Sequence, residues 1–183
     1  MAVTLLVDPD RSQCQEAVLH AKARLNVTSV TWHARADRLQ PLQAADLLLN
    51  YLSAPKVPGA ELHKFEMAIN FHPAPPEYPG VGSASLALYD KRTEHGVTAH
   101  LMDAEYDHGS ILWVRRFKID PRWGYRQLWV RSLEESLIQF KEVVDLLATP
   151  EFFLVPLSHE HWARKSYTRA EFEQHPAFTQ VSA

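Results

Sequence analysis

Cysteine is nearly missing from this chain of 183 residues, where Cys14 stands alone. That excludes an internal disulfide and a cysteine-ligated zinc site, and it points to a reducing, cytoplasmic setting. Glycine is scarce as well: the six glycines form no G-x-G-x-x-G or Walker pattern behind the first apolar segment. The turn that cradles a dinucleotide or nucleotide phosphate is absent, which disfavours nicotinamide and ATP roles. No apolar run approaches the roughly 20 residues of a membrane span; one of the longest, Ala44-Ala45-Asp46-Leu47-Leu48-Leu49, is broken by an acid. The opening Met-Ala-Val-Thr-Leu-Leu-Val-Asp carries no basic residue and too short an apolar stretch for a signal peptide. An excess of either charge is also lacking, since Lys+Arg 19 against Asp+Glu 22 leaves a net of -3. Neither nucleic acid nor a membrane surface is therefore expected as a partner. No internal repeat or low-complexity tract is present.

What is present is 46% apolar residues, enough for one globular domain with a substantial core. Residues 3–7 are β-rich and run into Asp8-Pro9-Asp10, a turn whose acids are suited to cap the helix expected next. Residues 27–32 read as a second strand, and 34–45 as a polar connector or short helix. Asp46 to Leu52 has the near-continuous apolar character of a strand buried on both faces, closed off by Pro55 and Pro58. A short helix near Glu61–Phe65 and a strand at 67–71 follow. Strands separated by helical segments imply parallel pairing with right-handed crossovers.

The second half changes character. Residues 96–102 and 110–119 are strands too close in sequence for a helical crossover, so they are expected to pair antiparallel and make the sheet mixed. Leu133, Leu137, Phe140, Val144 and Leu147 recur at helical spacing, predicting one long helix from about 126 to 148, ended before Pro150. The expected organisation is one domain over 1–150 and a tail over 151–183 that packs on the same domain.

Chemistry concentrates in two segments. In Asn70-Phe71-His72-Pro73, strand alternation puts an amide and an imidazole on one side, at the carboxyl end of a strand where open α/β sheets bind ligands. Prolines stiffen the loop beyond, up to Gly80. The second segment runs from Gly96 through Thr98 and His100 to Asp107 and Gly109.

Together these segments resemble the folate-dependent formyltransferase family. Its pattern is N-x-H-P-S-L-L-P-x-x-x-G, then G-x-T-x-H about two dozen residues on, and D-x-G seven residues past that histidine. Asn70, His72, Pro73, Gly80, Gly96, Thr98, His100, Asp107 and Gly109 match it. The resemblance is strongest over roughly residues 46–147. It implies a three-layer, Rossmann-like α/β fold with a mixed, mainly parallel sheet, and Asn70, His72 and Asp107 as a catalytic trio. The co-substrate implied is 10-formyltetrahydrofolate, with no metal. Its pterin is expected against Leu52, Ser53 and Ala54 on one side and against Met102, Asp103, Ala104, Glu105 and Asp107 on the other. An amine attacking the formyl carbon develops a negative oxygen, which Asn70 Nδ2 and a protonated His72 are placed to stabilise while Asp107 steadies the imidazolium.

Departures from the pattern bear on the acceptor. Ala74-Pro75-Pro76-Glu77 replaces S-L-L-P, and Gly80 comes one residue early. Glycinamide ribonucleotide enzymes carry a Gly-Ser phosphate turn after the first strand; Asp8 and Asp10 in that place would repel a phosphate. Some 33 residues follow Pro150, too few for a tRNA-binding domain. The expected acceptor is therefore the primary amine of a small molecule, a sugar nucleotide or an amino-acid derivative. A formyltetrahydrofolate hydrolase and a non-catalytic folate-binding module are the alternatives. Arg115, Arg116, Lys118, Arg122, Arg126 and Arg131 with Trp113, Trp123 and Trp129 form a basic, aromatic cluster, which reads first as a charged edge strand and helix start. His159 and His161 lack a third metal ligand. An exposed apolar strand or the aromatic tail would support a homodimer.

Overall fold

The structure, a computed structural model, describes residues 1–34, 37–53, 55–151, 154–163 and 166–181, without the side chains of 180 and 181. The β-rich segments become six strands: β1 (Ala2–Val7), β2 (Asn26–Trp32), β3 (Leu47–Tyr51), β4 (Met67–His72), β5 (Glu94–Leu101) and β6 (Ile111–Lys118). Six helices accompany them: α1 (Ser12–Arg24), α2 (Gly59–Leu62), α3 (Ser83–Tyr89), α4 (Tyr125–Leu147), α5 (Arg169–Glu173) and α6 (Pro176–Val181). The strands form one sheet in the order β2-β1-β3-β4-β5-β6. β1 pairs parallel with β2 and β3, and β3 parallel with β4, whereas β4–β5 and β5–β6 are antiparallel. This is the mixed α/β sheet that the change of sequence character predicts.

The hydrophobic pattern explains each strand's place. Every residue of β3 is buried, as its apolar run requires of a strand flanked by β1 and β4 and covered on both faces. On one face α1 and α4 pack over Tyr51 and Phe71, with Phe140 of α4 only 4.7 Å and 4.9 Å from their rings. Of the predicted stripe on α4, Leu133, Phe140 and Val144 are buried and Leu137 and Leu147 partly so, and the buried face extends to Leu128 and Val143. On the other face Leu42 and Val57 pack on Leu6 and Leu48, with Leu62 and Phe65 alongside. That third layer is mostly coil, because the described residues between β2 and α2 make only β3 as regular structure.

Two local details differ from expectation. Asp8 does not cap α1: its Oδ1 accepts from the Asp10 N–H at 2.8 Å, closing a turn ahead of the helix, and the N-cap residue is Arg11. The segment after β4 adds α3, which with the start of α4 and the tail builds a second cluster around Ala87, Leu128, Phe172 and Ala177.

The tail crosses the carboxyl end of β4. Leu157 N donates to Ile111 O, Ala163 N to Pro76 O, and the Trp162 indole to Gly109 O, while Val81 N donates back to Tyr167 O.

Candidate active site

Register places a row of polar side chains across three strands. Asn70 of β4 lies opposite Asn50 of β3 and opposite His100 of β5. Residues opposite one another point to the same face, so three polar groups meet where an apolar sheet ends. His72 follows Asn70 by two positions and therefore shares its side.

Asp107 reaches this row from the loop between β5 and β6. Gly109 makes that approach possible: a Cβ there would stand 1.9 Å from Leu101 O, so only glycine lets the loop double back against the strand. Asp107 itself takes a left-handed backbone, φ +46, the kind of local strain that persists where surrounding contacts hold it. Those contacts are specific. Its Oδ2 accepts from Gly80 N at 2.8 Å and lies 3.2 Å from His72 Nδ1; its Oδ1 lies 3.4 Å from Asn70 Nδ2 and 3.5 Å from His100 Nε2. Gly80, at φ +82 with Ser166 and Tyr167 pressed against it, has no room for a side chain.

Electrostatics follow from this geometry. Burial by itself would raise the Asp107 carboxyl, but the adjacent His72 charge, the His100 ring and the Gly80 N–H outweigh it and hold the group below the ordinary carboxylate range. His72 Nε2 lies 2.9 Å from Tyr78 O, and its Nδ1 faces Asp107 Oδ2 at ion-pair distance. Both partners are acceptors, so each ring nitrogen already faces an oxygen of the protein. In this form His72 offers no free N–H to a ligand. The expected bond from His72 to a substrate oxygen therefore requires Tyr78 O to be released, which leaves Asn70 Nδ2 as the donor nearest the cleft. His72 and Asp107 side chains are each 8% exposed, with Asn70 half-buried. The Trp162 ring stands edge-on to His72 and His100, with centroids 6.0 Å and 5.0 Å away.

The trio expected from the sequence is thus assembled. Of the residues expected to contact folate, Leu52 follows β3 with φ +57, and the Ser53 hydroxyl is buried without a hydrogen-bond partner among the described residues. Ala54 lies outside the described residues. Across from them Met102 N donates to Ala68 O, Asp103 pairs with His108 at 2.8 Å, and Ala104 and Glu105 are exposed. Lys56 sits over the Tyr106 ring at 5.8 Å, joining the two loops. The basic, aromatic cluster is not brought to the site. Arg115 pairs with Glu135 and Glu142, Arg116 with Glu77 and Glu160, Arg122 with Asp120 and Arg131 with Glu135. Trp129 lies under Arg11, and Trp113 packs against the main core. His159 and His161 are exposed, on either side of the Glu160 that binds Arg116.

Three residues went without a role in the sequence reading. His100 matched the pattern with no function attached, Tyr78 sat in the proline-rich loop, and Asn50 was counted as part of a strand. Asn50 carried a signal nonetheless: an amide inside Leu47-Leu48-Leu49-Asn50-Tyr51 has no packing reason to be there.

The formyl transferase family matches residues 16–144. The chain belongs to the formyl transferase family. Within it, a GDP-perosamine N-formyltransferase from Brucella melitensis is 24% identical over 146 residues, 76% of this chain and 56% of that protein. A protein of the same name from Brucella abortus matches equally, so this formyl transferase chain spans about half the length of the curated relatives it matches. Among solved structures, a sugar N-formyltransferase from a Shewanella species superposes with TM-score 0.73 at 17% identity, over 95% of this chain and 79% of the other. The formyltransferase PseJ from Anoxybacillus kamchatkensis gives TM-score 0.73 at 19% identity, over 94% and 89% of the two chains. PseJ was solved in complex with UDP-4,6-dideoxy-4-formamido-L-AltNAc and tetrahydrofolate. These likenesses establish the formyl transferase fold, and the family match begins inside α1, well ahead of the motif-bearing segments.

Proposed function

We propose that this chain is an N-formyltransferase that moves the formyl group of 10-formyltetrahydrofolate to the primary amine of a nucleotide-linked amino sugar. The observation that carries the reading is the meeting of Asn70, His72 and an ionised Asp107 at the carboxyl end of β4. The amine nitrogen attacks the formyl carbon, and the carbonyl oxygen gains charge that Asn70 Nδ2 stabilises by hydrogen bonding. One such donor is worth roughly 3 kcal/mol of barrier. Asp107 takes the proton that the amine loses and returns it to the departing folate nitrogen as the carbon–nitrogen bond breaks. His72 holds Asp107 ionised and aimed.

Leu52 and Ser53, with Met102 to Asp107 facing them, are the proposed folate contacts. The acceptor class is supported by the names of the relatives and by the acids at Asp8 and Asp10, which disfavour a simple phosphate at the end of β1. Self-association belongs to the same proposal, with Val130 and Ile138 exposed on the outer side of α4 as its apolar contacts. A single species at monomer mass in sedimentation velocity removes that part. A cytoplasmic location is also part of the proposal, and to it the described residues add only that no helix is long and apolar enough to cross a membrane.

The test is turnover of 10-formyltetrahydrofolate, followed by absorbance, with GDP-, UDP- and dTDP-linked amino sugars and amino-acid-derived amines. Deformylation that depends on an amino sugar is the expected result. Deformylation without any amine identifies a hydrolase. Failure to bind a stable 5-deaza analogue of the donor overturns the reading.

A further inference from the structure

We infer that Asn50 is a positioning residue, one that orients the Asn70 carboxamide so that its nitrogen faces the reacting carbonyl. The inference rests on the proposed role of Asn70. The nitrogen and oxygen of an amide are nearly the same size, so packing cannot tell the two orientations apart and hydrogen-bond partners must.

On the cleft side the deciding partner is a carboxylate. Asp107 Oδ1 lies 3.4 Å from one terminal atom of Asn70, and an ionised carboxylate only accepts. His100 Nε2 lies 3.0 Å from the same atom. His100 Nδ1 is 2.8 Å from Leu101 O, a carbonyl, and with Nδ1 donating there a singly protonated ring turns the lone pair of Nε2 to the same Asn70 atom. The terminal atom between them is therefore the donating Nδ2. Asn70 Oδ1 then points toward β3, where it needs a donor, and Asn50 Nδ2 supplies one at 2.9 Å. Of the two N–H groups on Asn70, the one toward Asp107 makes the longer contact and is the one free to turn to a substrate oxygen.

Asn50 is suited to this and little else. It is 4% exposed, directly across from Asn70, and its own Oδ1 is buried without a hydrogen-bond partner among the described residues. A leucine there would pack in the apolar run without leaving an orphaned carbonyl. What Asn50 adds is the donor.

The experiment compares Asn50→Leu and Asn50→Asp with wild type and Asn70→Ala, each checked for native circular dichroism and thermal midpoint. Asn50→Asp matters most, because it conserves shape and reverses polarity: a carboxylate at that position draws Asn70 Nδ2 toward β3 and turns Oδ1 to the cleft. Turnover in Asn50→Asp is expected to fall roughly a hundredfold, with the dissociation constant for 5-formyltetrahydrofolate within about twofold. In the Asn70→Ala background the same substitution should have no further effect on turnover. The second readout needs no activity. Side-chain amide NMR should show the Asn70 amide protons beside the His100 ring in wild type and away from it in Asn50→Asp. Retained contact with His100 in Asn50→Asp overturns the inference, as does an equal loss of turnover in the Asn70→Ala background. Wild type lacking transferase activity while the amide contact shifts as described would sink the proposed function and leave the positioning role standing.

Discussion

Asp107 is the residue whose surroundings say most about its task. It is nearly enclosed, held below the ordinary carboxylate range, and touched by groups from three separate loops or strands. Asp107→Asn keeps the shape but removes both the counter-charge for His72 and the proton acceptor. Turnover should fall by about 10²–10⁴-fold, measured in single-turnover mixing so that product release does not mask it; a loss under tenfold would remove Asp107 from proton transfer. His95 supplies a prediction of another kind. It is wholly buried between Tyr78 and Phe117 with neither ring nitrogen hydrogen-bonded among the described residues, and burial, aided by the His72 charge, pushes its imidazole down to about 3 from 6.5. Between those values the unfolded chain binds a proton that the native chain does not. Native stability therefore declines as pH drops from about 6.5 toward 3, by up to ~1.4 kcal/mol per pH unit from this residue. Urea unfolding at a series of pH values should show that slope reduced in His95→Leu, and an unchanged slope would mean His95 already titrates in the native state.

At the scale of elements, the site depends on two loops whose backbones are forced close to something else. The loop after β5 carries Asp107 and is held against Leu101 by Gly109, whereas the loop after β4 carries Gly80 and the Tyr78 carbonyl. Gly109→Ala would place a carbon inside the Leu101 carbonyl, so the loop must shift while the sheet stays. A displacement near 1 Å at a reacting group costs on the order of a hundredfold in rate. The expected result is that loss with β5 and β6 amide protection intact in hydrogen exchange; normal turnover would show that the loop does not position Asp107. The strands themselves were legible in the sequence because β-branched and apolar runs announce strands, and the 4–3 spacing on α4 announces a buried helix face. α3 was not legible: its Ser83-Ala84-Ser85 start has no acidic or periodic signal, and it is buried because α4 and the tail, both distant in sequence, cover it.

For the molecule as a whole, the tail decides how much of the site is covered. We propose that residues 151–183 belong to the same structural unit as 1–150, since Phe172 fills the second core cluster and Trp162 stands over His72. Phe172, 5% exposed, is the anchor. Phe172→Ala should cost roughly 3–5 kcal/mol and lower the thermal midpoint by on the order of 10 °C in a single transition. A midpoint within a degree or two of wild type would separate the tail from the folding unit.

The sequence by itself determined the six strands, the helices α1, α2 and α4 and the mixed sheet, and its resemblance to the formyltransferases pointed to Asn70, His72 and Asp107. Those features are written in local periodicity and in fixed spacing along the chain, which survive without knowledge of any neighbour. Only the tertiary structure decided that Asn50 and His100 flank Asn70, that both His72 nitrogens face oxygens of the protein, and that Arg115, Arg116 and Arg131 are already matched by Glu77, Glu135, Glu142 and Glu160. Each of those facts depends on strand order and register, which join residues tens of positions apart, and a hydrogen bond exists only where donor and acceptor are brought to about 3 Å.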